Sequence, residues 1–202
     1  MKRLVLLVAV LFALSNIASA AIITSVDRLG GASGNRPIIG VYDGGTDPLR
    51  TTLADGVYMF SDRDYTFPTV PTDLVGAEYI QTFNSDKSRD GSVTYAVTLS
   101  VGCIYAIAID DRFGNQQDMV DGIAAGVVPA GTFADTGYDL ITSEDTPQAL
   151  SVFATALPAG THTFVGYGFG GDNNFMVMGA IPEPATIALL GIGTLALIRK
   201  KR

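Results

Sequence analysis

The chain has 202 residues, 13 Lys and Arg against 20 Asp and Glu, one His and one Cys, for a formal charge of −7. That length is ample for one domain with a real core, and a lone cysteine excludes an intrachain disulfide. The acidic balance argues against nucleic acid as a partner, because a negative surface repels phosphates. At the N-terminus, Met1-Lys2-Arg3 is basic, residues 4–14 are apolar, and Ala18-Ser19-Ala20 supplies small residues before Ala21. This order predicts a secretory signal peptide over residues 1–20, cut after Ala20. A membrane helix is disfavoured there, because the run is short and ends in a small-residue site.

From Ala21 onward the hydrophobic period is two. Val93, Tyr95, Val97 and Leu99 alternate with Thr94, Ala96, Thr98 and Ser100, the pattern of a half-buried strand. Similar runs fall at residues 22–26, 37–42, 56–60, 78–83, 103–109, 149–155, 161–169 and 175–179. The run 103–109 is apolar nearly throughout, as in a strand covered on both faces. Turn-formers separate the runs: Asp43-Gly44-Gly45, Asp90-Gly91, Phe113-Gly114-Asn115, Pro158-Ala159-Gly160 and Gly170-Gly171-Asp172-Asn173-Asn174. A turn or two of helix is expected near residues 117–125, ahead of Pro129. Short strands at even spacing predict an all-β fold, an antiparallel β-sandwich over residues 21–180. The pattern resembles the jelly-roll sandwiches of galactose-binding-like modules, a likeness of architecture without a diagnostic motif.

The candidate chemistry lies in loops and at strand ends. Asp86-x-Ser88-x-Asp90-Gly91 resembles the start of an EF-hand, but Val97 stands where the bidentate Glu is needed. Asp43, Asp47, Asp118 and Asp121 are the candidates for a Ca²⁺ site drawn from separate loops; otherwise they make turns and supply surface charge. No other cofactor is implied. Tyr58, Asp62, Arg63 and Tyr65, with Asp111 and Arg112, place an aromatic ring and Asp-Arg pairs just beyond apolar strands. A carbohydrate site needs a flat aromatic face for the sugar's C–H surface and planar polar groups for its hydroxyls. The bland reading makes each Asp-Arg pair an ion pair that pins a turn. Cys103 reads as a buried apolar residue and His162 as an outward-facing strand residue.

Enzymatic signatures are absent from the sequence. There is no Gly-x-Ser-x-Gly, no zinc-ligand His cluster and no phosphate-binding loop. Asp110 and Asp111 are neighbours, so on a strand they face opposite sides and cannot flank one glycosidic bond. Glu78 and Glu144, the only glutamates of residues 21–180, stand in no recognisable context.

The last stretch reads Pro182-Glu183-Pro184, then an uncharged apolar run over residues 185–198, then Arg199-Lys200-Lys201-Arg202. The two prolines exclude helix and leave an extended tether. The apolar run suits a helix of about 21 Å, short of a full hydrocarbon core, and terminal cations are held on the cytoplasmic side. The tripartite order resembles the sorting signal of the PEP-CTERM family of exported bacterial proteins. That resemblance implies an exosortase as partner, a membrane cysteine transpeptidase that cuts near the motif. It also implies transient anchoring in the inner membrane, then release to the cell surface or matrix. Without the two ends, 7 basic residues face 19 acidic ones, so the body carries −12.

The expectation is an exported, non-enzymatic sandwich at the cell surface, with exopolysaccharide as its partner and a place in matrix or biofilm implied by the family. A secreted polysaccharide-acting hydrolase or lyase is the alternative, and a structural surface-layer subunit the third reading. A concave groove with Tyr and Asp-Arg pairs favours sugar binding; a large exposed apolar patch favours assembly.

Overall fold

Strand alternation sets the packing. In a computed structural model that describes residues 21–30, 51–60, 63–84, 90–167 and 177–181, Val93, Tyr95, Val97 and Leu99 are buried. Thr94, Ala96 and Thr98 between them are half-buried, as a period of two requires. The described elements in chain order are β1 (Ile23–Leu29), β2 (Thr51–Thr52), a 3₁₀ turn (Thr72–Leu74), β3 (Glu78–Ile80), β4 (Asp90–Leu99) and β5 (Cys103–Asp110). Helix α1 (Gln116–Ile123), β6 (Ala134–Ile141), β7 (Ala149–Leu157), β8 (Gly160–Tyr167) and β9 (Val177–Ile181) follow. They form two sheets, one of order β1-β4-β8 and one of order β2-β3-β9-β5-β7-β6. Every strand pair in them is antiparallel.

The sheets meet through aromatic residues. Tyr105 of β5 stacks on Phe164 of β8 with centroids 4.9 Å apart and planes 9° from parallel. Phe164 lies opposite Tyr95 in the β4–β8 ladder, and all three rings are fully buried. Each contributes about 1.5–3 kcal/mol of burial. The second face of β5 is covered as well. Leu53, Leu74, Ala77 and Tyr79 close over Ala106, Ala108, Val152 and Gly179. That double cover is the reason the 103–109 run lacks polar alternation.

α1 forms as its local sequence asks. Asn115 caps it, its side-chain oxygen accepting from the Asp118 amide at 3.3 Å, worth about 1 kcal/mol. Met119, Val120 and Ile123 turn inward onto β5 and β8.

Several expectations need correction. The run 56–60 is no strand: Tyr58 and Phe60 make isolated bridges to Thr66 and Thr82. Asp90-Gly91 is no turn, since β4 begins at Asp90 and carries a register shift before Val93. His162 pairs with Val97, so it shares the core face at the sandwich rim, half-buried, with Nε2 2.9 Å from the Pro158 carbonyl. The run 175–179 is a strand shifted toward Pro182: β9 spans Val177–Ile181 and stands between β3 and β5. The signal peptide, the run 37–42 and residues 182–202 lie outside the described residues. Among those described, no helix is long and apolar enough to cross a membrane.

Candidate functional site

The site is built where β5 ends. Asp110 is the last residue of β5 and is buried, whereas Asp111 faces solvent. Arg112, two residues on, returns to the side of Asp110 and is held there. Its backbone amide donates to Asp110 Oδ1 at 2.9 Å. Nε donates to Oδ1 and Oδ2 at 2.9 and 3.0 Å, and Nη2 closes the fork on Oδ2. Glu144 Oε2 lies 3.7 Å from the same Nη2. The hydrogen bonds to Asp110 raise the guanidinium above its ordinary range; burial opposes this, and the charges of Asp110 and Glu144 add to it.

The partner of Arg112 is therefore Asp110, not Asp111. The turn that follows β5 decides this: Phe113 N donates to Asp110 O at 3.1 Å, and the Asp110 carboxylate accepts from the amide two residues on, which folds Arg112 back over it. Asp111 instead accepts from the Ser151 amide at 3.0 Å and the Ser151 hydroxyl at 2.6 Å, on β7.

Glu144 is delivered by the β6–β7 loop. Thr142 donates its amide to Gln148 O at 2.9 Å and accepts from the Gln148 amide at 3.0 Å, which closes the loop at its neck. The loop is also tied sideways: the Ser143 amide donates to Thr66 O at 3.0 Å, and the Thr66 amide donates to Ser143 Oγ at 2.8 Å. Those bonds bring Tyr65 alongside, its ring edge-on to Phe60 at 6.5 Å and 78°. The result is an open pocket of about 410 Å³ lined by Asp64, Tyr65, Arg112, Ser143, Glu144, Asp145, Thr146 and Gln148. Its volume lies within the ~300–1,000 Å³ usual for small-ligand sites.

Two residues expected at a sugar site, Tyr65 and Arg112, thus meet in space. Tyr58 does not line the pocket; its carbonyl accepts from the Tyr79 hydroxyl at 2.5 Å and from Gln81 Nε2 at 2.9 Å. Arg63 is half-buried and outside the lining, and Asp62 lies outside the described residues. Asp64, Glu144, Asp145, Thr146 and Gln148 carried no mark in the sequence. The run Ser143-Glu144-Asp145-Thr146-Pro147 has the composition of an ordinary polar turn, and only the ladder around it aims it at Arg112.

Of the acidic residues weighed for Ca²⁺, the two that are described are engaged in local hydrogen bonds. Asp118 accepts from Asn115 Nδ2, and Asp121 accepts from Gln117 Nε2 at 3.1 Å and the Gly131 amide at 2.8 Å, closing the loop after α1. Asp43 and Asp47 lie outside the described residues. Among the described residues no three His, Cys, Asp or Glu are grouped to hold a metal. Cys103 is buried, with no disulfide partner in a chain that has one cysteine.

Comparison with known proteins adds two kinds of likeness. The PEP-CTERM protein-sorting motif matches residues 180–202, so the chain carries that motif at its C-terminal end. Its presence implies processing by an exosortase, with export and sorting to the cell surface. No curated protein matches the chain. Among solved structures, a β-glucuronidase from glycoside hydrolase family 2 matches with a TM-score of 0.51 and 17% identity, over 66% of this chain and 13% of that one. A GH138 enzyme targeting pectin rhamnogalacturonan II matches with a TM-score of 0.44 and 12% identity, over 86% of this chain and 18% of the other. The chain thus spans under a fifth of either neighbour, and at such identity the first likeness speaks for the fold alone.

Proposed function

We propose that the protein is exported, held at the inner membrane by its tail until an exosortase cuts it, and that its body binds neutral, hydroxyl-rich polysaccharide without acting on it. The observation that carries the binding reading is the meeting of Tyr65, Arg112, Glu144 and Gln148 in one open pocket. Tyr65 offers a ring face for a sugar's C–H surface, and the carboxylates, amide and guanidinium offer planar donors and acceptors for its hydroxyls. The charge of Arg112 is met by Asp110 and Glu144, while Asp64 and Asp145 add further negative charge to the rim. A uronate chain is repelled by that balance, and a neutral one is not. The same contacts favour binding over hydrolysis. Asp110 is spent on a bidentate bond and Glu144 faces the same cation, so neither is a free acid or base poised across a sugar bond. The place of such a body is the cell surface or its exopolysaccharide matrix.

A glycan array on the exported protein tests this. Neutral polysaccharides are expected to bind, with uronate polymers failing, and Tyr65→Ala or Gln148→Ala should weaken binding about tenfold or more, some 1.4 kcal/mol. Absence of binding to every glycan overturns the reading. Release of reducing ends from a bound polymer makes the body an enzyme instead.

A further inference from the structure

Glu78 is a buried carboxylate, 8% exposed, that none of the pocket chemistry uses. It belongs to β3 in the larger sheet, yet both its oxygens reach the first residues of the smaller one. The Ile22 amide donates to Oε1 at 3.1 Å and the Ile23 amide to Oε2 at 2.8 Å. Among the described residues no cation completes the site. Ala21, one residue earlier, is itself buried at 4% exposure. Its carbonyl accepts from the Ser100 hydroxyl, and the Ile22 carbonyl accepts from the Ser100 amide at 2.8 Å. The chain at Ala21 is therefore pinned on one side by Ser100 and on the next by Glu78. The nitrogen of Ala21 is one residue away, a Cα step of about 3.8 Å, from the amide that Oε1 already holds.

We propose that Glu78 is a binding site for a primary ammonium supplied by this chain itself: the α-amino group freed at Ala21 when the leader is removed. Water hydrolyses the Ala20–Ala21 peptide bond, Ala20 departs with the new carboxylate, and the nitrogen of Ala21 takes up a proton to become an ammonium. A positive charge then forms beside a buried negative one whose donors among the described residues are two neutral amides. A carboxylate so placed is costly to leave uncompensated, and charge-assisted hydrogen bonds are about twice as strong as neutral ones. Because Glu78 belongs to β3 of the larger sheet and Ala21 leads into β1 of the smaller one, the new pair fastens the two layers at the first strand, and maturation tightens the fold.

This inference rests on the export reading and not on glycan binding. N-terminal sequencing of the exported protein separates the two: a mature end other than Ala21 overturns the inference and leaves the pocket untouched. With Ala21 as the end, the chain from Ala21 to Arg202 is compared in detergent with the same chain carrying Gly-Gly ahead of Ala21, each with and without Glu78→Gln. The extension should lower Tm by about 2–4 °C in the Glu78 background, and should cost nothing further once Gln replaces Glu78. Equal Tm values for the native and extended ends, or losses that simply add, overturn it. Glycan binding should be the same in all four proteins.

Discussion

Tyr105 shows how much one atom can matter in a core. Its ring stacks on Phe164, but its hydroxyl is fully buried with no hydrogen-bond partner among the described residues. Burial raises its pKa well above the usual phenol value, and the nearby Cys103 raises it further. An unsatisfied buried hydroxyl costs about 1–3 kcal/mol. Tyr105→Phe keeps the stack and removes the cost, so it should raise stability by about 1 kcal/mol, a Tm increase of about 2–4 °C in a thermal melt. A lower Tm would show that the hydroxyl finds a partner in solution. Arg112 makes the complementary point. Its bidentate bond to Asp110 sets the wall of the pocket, and Asp111, which neighbours it in sequence, is turned away to Ser151.

Among the elements, the best-read strands were those with a strong apolar pattern, alternating or continuous. β4, with its strict alternation, and β5, apolar on both faces, stand where the sequence places them. β6 left no such trace, because it is an edge strand of mostly exposed residues, Ala134-Asp135-Thr136-Gly137-Tyr138-Asp139. Its pairing with β7 shifts register between Asp135 and Asp139, where Gly137 takes φ 72°. Such a bulge with charged neighbours protects an edge from pairing with another chain. β9 depends on a glycine of a different kind. A Cβ at Gly179 would meet the Glu78 carbonyl oxygen at 3.1 Å and Tyr79 Cβ at 3.3 Å. Gly179→Val should push β3 off β9 and cost about 2–3 kcal/mol, read as a lower urea midpoint. An unchanged midpoint would mean that β3 gives way without loss.

For the whole molecule, the position of β9 bears directly on sorting. Pro182 follows Ile181, so the motif begins where a central strand ends. On the proposed anchoring of the tail, three residues, which span at most about 10 Å of extended chain, would keep the folded body close against the bilayer. On that reading an exosortase would either reach a short tether beside the sandwich or act before β9 docks. Replacing Pro182-Glu183-Pro184 with alanines should leave uncleaved protein in the inner-membrane fraction, measured by fractionation and immunoblot. Normal surface delivery of that variant contradicts the sorting role. Among the described residues the exposed large apolar side chains are Leu29, Val75, Val101 and Ile141, each on a different element or loop.

What the sequence decided alone was whatever is written in consecutive residues. The period of two, the turn-formers and the motif at residues 180–202 are all local, so all-β character and the sorting signal were legible without coordinates. The pairing of Arg112 with Asp110 was within reach as well, because an aspartate at the start of a turn accepts from the amide two residues on. The pocket was not. Tyr65, Arg112 and Glu144 come from three separate segments, and the clamp of Glu78 on Ile22 and Ile23 spans more than fifty residues. Contacts of that range are set by sheet order and strand register, which emerge only when all the strands compete for partners at once; no single segment carries them.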